Sequence, residues 1–171
     1  HLAGIDSVPI TLDVHTLDEI VATIKAIAPS FGAINLEDIA APKCFEVEER
    51  LKAELDIPVF HDDQHGTAII SAAGIINALY LTNKKIENVK VVLNGAGAAA
   101  ISCSKLYIAL GVKKENIVML DSKGVITKDR TDLDEQKKFF ASSRKDVKTL
   151  VEAMKGADVF VGLSKGNILT A

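Results

Sequence analysis

The sequence has no tryptophan, and aromatic residues make up only 5% of its 171 positions. A core built without them rests on aliphatic packing, and Ala, Ile, Val and Leu carry the apolar content. That composition suits parallel strands covered by helices on both faces. Cysteine is as scarce. Cys44 and Cys103 lie far apart in apolar helical contexts. This excludes a disulfide-stapled scaffold and points to buried free thiols in a reducing, cytoplasmic setting. Positive charge is not in excess: 20 Lys and Arg stand against 23 Asp and Glu, a net charge of −3. A nucleic-acid partner therefore has no electrostatic footprint here. No apolar run reaches the ~18 residues that span a bilayer, so no membrane partner is expected. No signal peptide opens the chain and no Met starts it. Its last residues, Asn-Ile-Leu-Thr-Ala, read as the start of a helix. Both ends are expected to be cut from something longer.

The residues that are present can bury a sizeable core, since 48% are hydrophobic and 25% charged. Val8 to Leu12 is β-prone. Thr16 and Glu19 form a capping box before a helix with Leu17, Ile20, Val21, Ile24 and Ile27 on one face. Pro29 stops it. Strands follow over Phe31–Leu36 and Ile57–Phe60, with a helix between them from about Cys44 to Leu55. Gly66 to Leu81 reads as a long helix, apolar nearly all round and therefore expected to be buried. Val89–Leu93, Ile117–Leu120 and Asp158–Leu163 read as three more strands. Ala98–Leu110 and Val147–Met154 read as helices stopped by Gly111 and Gly156. Gly124 to Lys145 is polar, a loop with room for one helix, and the Lys137–Lys148 stretch is a solvated face. Strands alternating with helices predict an α/β fold with a mainly parallel sheet.

The run from Lys90 to Ala100, K-V-V-L-N-G-A-G-A-A-A, is a strand, a small-residue turn and an Ala-rich helix. In that context G-x-G-x-x-A is a dinucleotide motif. Gly95 allows the bend, Gly97 lets the backbone approach a pyrophosphate, and Ala100 allows close helix packing. Asp121 ends the next strand at the distance where a carboxylate accepts ribose hydroxyls. Asp121 alone favours NAD, because it repels a 2′-phosphate. Ser122 and Lys123 could bind that phosphate and favour NADP. The competing reading is a flavodoxin-like βα turn that binds nothing there.

Two further strands end in acids: Glu37 and Asp38, then Asp62 and Asp63. Successive parallel strands end at one edge of a sheet, so four carboxylates would gather and call for a hard divalent cation. The alternative is plain solvation, with Asp63 capping the next helix. His61 and His65 straddle a strand-to-helix turn, which argues against zinc.

The segments I-N-L-E-D-I-A-A-P-K-C-F (34–45), I-P-V-F-H-D-D-Q-H-G-T-A (57–68), L-N-G-A-G-A-A-A (93–100) and D-S-K-G-V-I (121–126) resemble malic enzymes of the smaller bacterial type. The resemblance runs through essentially the whole chain. It implies an α/β substrate and metal domain, of which residues 1–65 are the C-terminal part. Residues 66–171 would begin a Rossmann-type NAD(P)-binding domain. It implies Glu37, Asp38 and Asp63 as ligands to Mg²⁺ or Mn²⁺, with Asp62 supporting the general base. Gly95, Ala96, Gly97, Ala98 and Ala99 would wrap the pyrophosphate, with Asp121, Ser122 and Lys123 at the ribose. The implied reaction is oxidative decarboxylation of malate to pyruvate with NADP or NAD, in a homo-oligomer. The family's base Lys and acid Tyr lie upstream of His1, and its Asn-Pro segment lies beyond Ala171. The chain alone is therefore expected to be inactive. A malolactic-type enzyme and a non-catalytic module with the same fold are the other readings.

Overall fold

The computed structural model describes residues 4–144, 146–164, 166 and 168, so the helix start expected over the last five residues lies outside the described residues apart from Ile168. The chain divides into two compact units, His1–Phe60 and His61–Ala171. The resemblance set the division five residues later.

The first unit is built on two helices, α1 (Leu17–Ile27) and α2 (Lys43–Glu54). The capping box forms as expected: the Glu19 amide donates to Thr16 Oγ1 at 3.3 Å, and the Thr16 amide donates to Glu19 Oε2 at 2.9 Å. Ile20, Val21 and Ile24 on α1 pack with Val47 and Leu51 on α2, and with Leu36 and Val59. The last two belong to short strands, β1 (Ile34–Leu36) and β2 (Val59–His61), which pair in a two-stranded sheet. The strand expected over Val8–Leu12 does not form. Pro9 lacks a donor, and Val8 and Ile10 are exposed, so no buried face selects an extended pairing.

The second unit opens with a π-helical turn, Asp62–Gly66, that runs into α3 (Thr67–Thr82). Then follow β3 (Val91–Asn94), α4 (Ala98–Leu110), β4 (Ile117–Asp121) and β5 (Gly124–Val125). The last elements are α5 (Glu135–Phe140), α6 (Leu150–Met154) and β6 (Val159–Gly162). The sheet order is β5-β4-β3-β6, with β3 parallel to both β4 and β6. Within the expected polar loop, β5 turns back antiparallel to β4. Lys138 and Arg144 stay on the surface in local ion pairs with Glu135 and Asp146.

Strand β3 is buried on both faces, which explains its uninterrupted apolar run. Val91 and Leu93 join Ile117 and Met119 in a core with α3 and α4. Val92 joins Val118, Leu120 and Ala153 of α6 on the other face. A polar clip also ties α3 to α4, where Tyr107 Oη donates to Ser71 Oγ at 3.0 Å. Burial pushes the Tyr107 hydroxyl up to about 12. Both cysteines are buried and neither is in a disulfide.

Helix α3 departs from its expected burial. Only Ala68, Ala72, Ile75 and Leu79 reach the core. Ile69, Ile70, Ile76, Tyr80 and Leu81 are exposed, the last two above 80%. Apolar composition on every side marks a helix that could be buried all round, but α4 packs against one face only. Together with the π turn, α3 makes a 21-residue helix that is long and apolar enough to cross a membrane by length and composition. Residue counting from the sequence missed it because the run opens on Asp62, Asp63 and His65.

Candidate cofactor and metal site

Strand β3 lies between β4 and β6, so the chain leaves it toward one side of the sheet and returns on the other. The carboxyl end of β3 is thus the topological switch point, where ligands bind in open α/β sheets. The turn Gly95–Gly97 occupies that point. Gly95 sits at φ +136°, and a Cβ there would lie 2.6 Å from the Leu163 carbonyl oxygen at the end of β6. The Gly95 amide donates to Leu120 O, and the Leu163 amide donates to Asn94 O, both at 2.9 Å. Asn94 Nδ2 adds a bond to Ser164 Oγ. The turn is therefore clamped by the ends of both neighbouring strands.

Gly97 is different. It is the N-cap of α4, it is exposed, and a Cβ there would meet nothing within 4 Å. No side chain caps the helix and its first turn holds no acid. The first amides of α4 are left for an anion, with the helix dipole in its favour. Ala98 and Ala99 are half-buried beside it, and Ala100 is fully buried, as close packing requires.

At the end of β4 the sequence reading was incomplete. Both oxygens of Asp121 accept from Arg130: Nη1 donates to Oδ1 at 2.9 Å and Nη2 to Oδ2 at 2.8 Å. The Lys123 amide also donates to Oδ1. Arg130 reaches Asp132 as well, which accepts in addition from Lys123 Nζ at 2.6 Å. The Arg130 guanidinium holds the Asp121 carboxyl below its ordinary range, and Arg130 with Lys123 holds Asp132 well below it. Arg130 was missed because it lies nine residues past Asp121, in what reads as a loop. The D-R-x-D spacing of Asp129 to Asp132 is the signal that could have marked it. Ser122 is exposed at the β4–β5 turn.

In the first unit, Glu37 and Asp38 follow β1 and are exposed. Asn35 Nδ2 donates to Glu37 Oε1 at 2.7 Å, and Asp38 holds a left-handed backbone at φ +56°. In the second unit, Asp62 and Asp63 lie in the exposed part of the π turn, while His61 and Gln64 are buried on either side. Neither ring nitrogen of His61, nor Gln64 Nε2, meets a hydrogen-bond partner among the described residues. Within either unit, no three His, Cys, Asp or Glu side chains gather into a metal site among the described residues. None of the four acids forms an ion pair with a basic side chain among the described residues. Exposed, uncompensated carboxylates are the donor set that a hard divalent cation takes.

A doubly wound sheet with an open glycine turn at its switch point is a nucleotide-binding architecture. Comparison with known proteins makes it specific. Residues 64–169 match the family model "Malic enzyme, NAD binding domain", and residues 14–52 match "Malic enzyme, N-terminal domain". The chain belongs to the malic enzyme family, and its second unit is an NAD- or NADP-binding domain. It is 53% identical to an NADP-dependent malic enzyme of Rhizobium meliloti over 99% of this chain and 22% of that one. It is 51% identical to an NAD-dependent malic enzyme of Geobacillus stearothermophilus, over 98% of this chain and 35% of that one. The crystal structure of an NAD-dependent malic enzyme from Thermotoga maritima matches with a TM-score of 0.90 at 46% identity, covering 98% of this chain and 45% of that one. The chain thus spans between about a fifth and under a half of the proteins it resembles.

Proposed function

We propose that this chain supplies metal and cofactor groups of a malic enzyme that oxidatively decarboxylates malate to pyruvate with reduction of NADP or NAD. The observation that carries the proposal is the open, uncapped turn at the switch point of a malic enzyme family member. Gly95 to Ala99 wrap the pyrophosphate, and the free amides at the α4 N-terminus donate to it. Glu37, Asp38 and Asp63 would hold Mg²⁺ or Mn²⁺. When bound, that ion supplies a Lewis acid for the substrate's oxygens. Asp62 supports the general base, which the rest of the enzyme contributes.

The strand end favours NADP. An unpaired Asp121 would repel a 2′-phosphate, but Arg130 neutralises it through both oxygens. The Lys123 ammonium is largely exposed and can swing from Asp132 to a phosphate. The proposal includes a cytoplasmic homo-oligomer acting on a small molecule, with neither nucleic acid nor membrane as partner.

The test is a full-length protein containing this chain, assayed with malate, Mn²⁺ and each cofactor side by side. Pyruvate with NADPH or NADH supports the proposal. Lactate as product replaces it with a malolactic reaction. Cofactor binding without turnover replaces it with a non-catalytic module.

A further inference from the structure

We infer that Gly66 is a positioning residue for the Asp62 carboxylate: the missing side chain at 66 decides where that carboxylate points. Gly66 has φ −62° and ψ −51°, an ordinary right-handed helical backbone that any residue adopts. Conformational freedom therefore does not explain a glycine here. Close approach does. A Cβ at position 66 would lie 2.1 Å from Asp62 Oδ1 and 2.9 Å from Asp62 Cγ, distances real Cβ atoms essentially never show. The direction follows from helix geometry, because side chains lean toward the helix N-terminus and residue i+4 covers residue i. The widened turn, closed by the Thr67 amide on Asp62 O, is the kind of π bulge that recurs at functional sites.

What would yield to a methyl group at 66 is the end of a flexible side chain, not backbone. His61 and Gln64 anchor the turn in the interior, at 0% and 3% exposure. The backbone is held, so Asp62 must swing away about its own side-chain torsions. Alanine is also the better helix former. Gly66→Ala should therefore keep the fold and lose the position of one carboxylate. This rests on the proposed reading, in which Asp62 serves the malate reaction.

The experiment is a double-mutant cycle in the full-length enzyme: Gly66→Ala, Asp62→Ala and the pair. Gly66→Ala should lower kcat by about 10²-fold through misplacement of the carboxylate. Its KM for NADP should change less than about twofold, and its Tm should hold or rise. In the Asp62→Ala background, Gly66→Ala should change kcat by less than about twofold. Unchanged kcat in Gly66→Ala, or the same loss in both backgrounds, overturns the inference. If Gly66→Ala alone does not fold while the pair does, the clash with the carboxylate stands. If neither folds, the inference fails. Tm separates it from the functional reading, since it does not depend on malate chemistry. Gly66→Ala should raise Tm more when Asp62 is Ala than when it is Asp, and equal changes overturn it. An enzyme that shows this Tm pattern but never oxidises malate keeps the positioning and loses the reading.

Discussion

Arg130 is the residue on which the cofactor end of the second unit turns. It bonds both oxygens of Asp121 and extends the network through Asp132 to Lys123. The Asp121 carboxyl is depressed in the folded state, chiefly by Arg130. Its contribution to stability is complete above the ordinary carboxylate value of about 3.9 and is lost as pH falls through the lower folded value. Arg130→Leu should therefore destabilise the protein at neutral pH, and the gap to wild type should close as pH falls below about 4. Urea unfolding at pH 7 and at pH 3 measures it; a gap independent of pH would contradict the assignment. Lys123 makes the second prediction at this scale. Replacing Ser122 and Lys123 together by Ala should lower the NADP-to-NAD ratio of kcat/KM by about tenfold or more, the scale of one lost charge-assisted contact. An unchanged ratio removes Lys123 from the phosphate site.

At the scale of elements, most of the architecture was legible because local signals and tertiary burial agree. The Thr16–Glu19 box, the Gly111 stop and the β3 run are each set by a few neighbouring residues. Helix α6 starts later than expected because Thr149 and Glu152 form a second capping box. Two readings failed for one reason: burial depends on partners that lie elsewhere in the chain. Val8 to Leu12 has β-prone residues but no strand to pair with, and α3 has apolar residues on a side that no element of its unit covers. The distinction within α3 is measurable. In the 171-residue chain, Leu79→Ala should cost about 2–4 kcal/mol, because Leu79 is in the core. Leu81→Ala, at 82% exposure, should change stability by less than about 0.5 kcal/mol. Comparable losses at both positions in denaturant unfolding would show that the outer face is covered.

At the scale of the whole molecule, the acidic motifs fall in different parts of the chain. Glu37 and Asp38 belong to one compact unit, Asp62 and Asp63 to the other. Sequence reading pairs them at a shared sheet edge and again through the resemblance, but side-chain identity does not specify how two units dock. A further prediction belongs here. In the full-length enzyme, Asp63→Ala should reduce Mn²⁺-dependent turnover by several orders of magnitude, because a Lewis acid is worth several kcal/mol of transition-state stabilisation. A chelator should abolish wild-type activity and added Mn²⁺ should restore it. Wild-type-like Mn²⁺ affinity in Asp63→Ala, read by calorimetry, would remove that residue from the site.

The two glycines of the β3–α4 turn carry a last consequence, visible to a saturation library scored twice. At position 95 every side chain would collide with the carbonyl of Leu163 at a positive φ, so variants should disappear from a readout of cellular abundance. Position 97 opens onto free space, so variants there should remain abundant and vanish only when growth depends on the cofactor. One motif would thus split into a letter written for the fold and a letter written for the ligand.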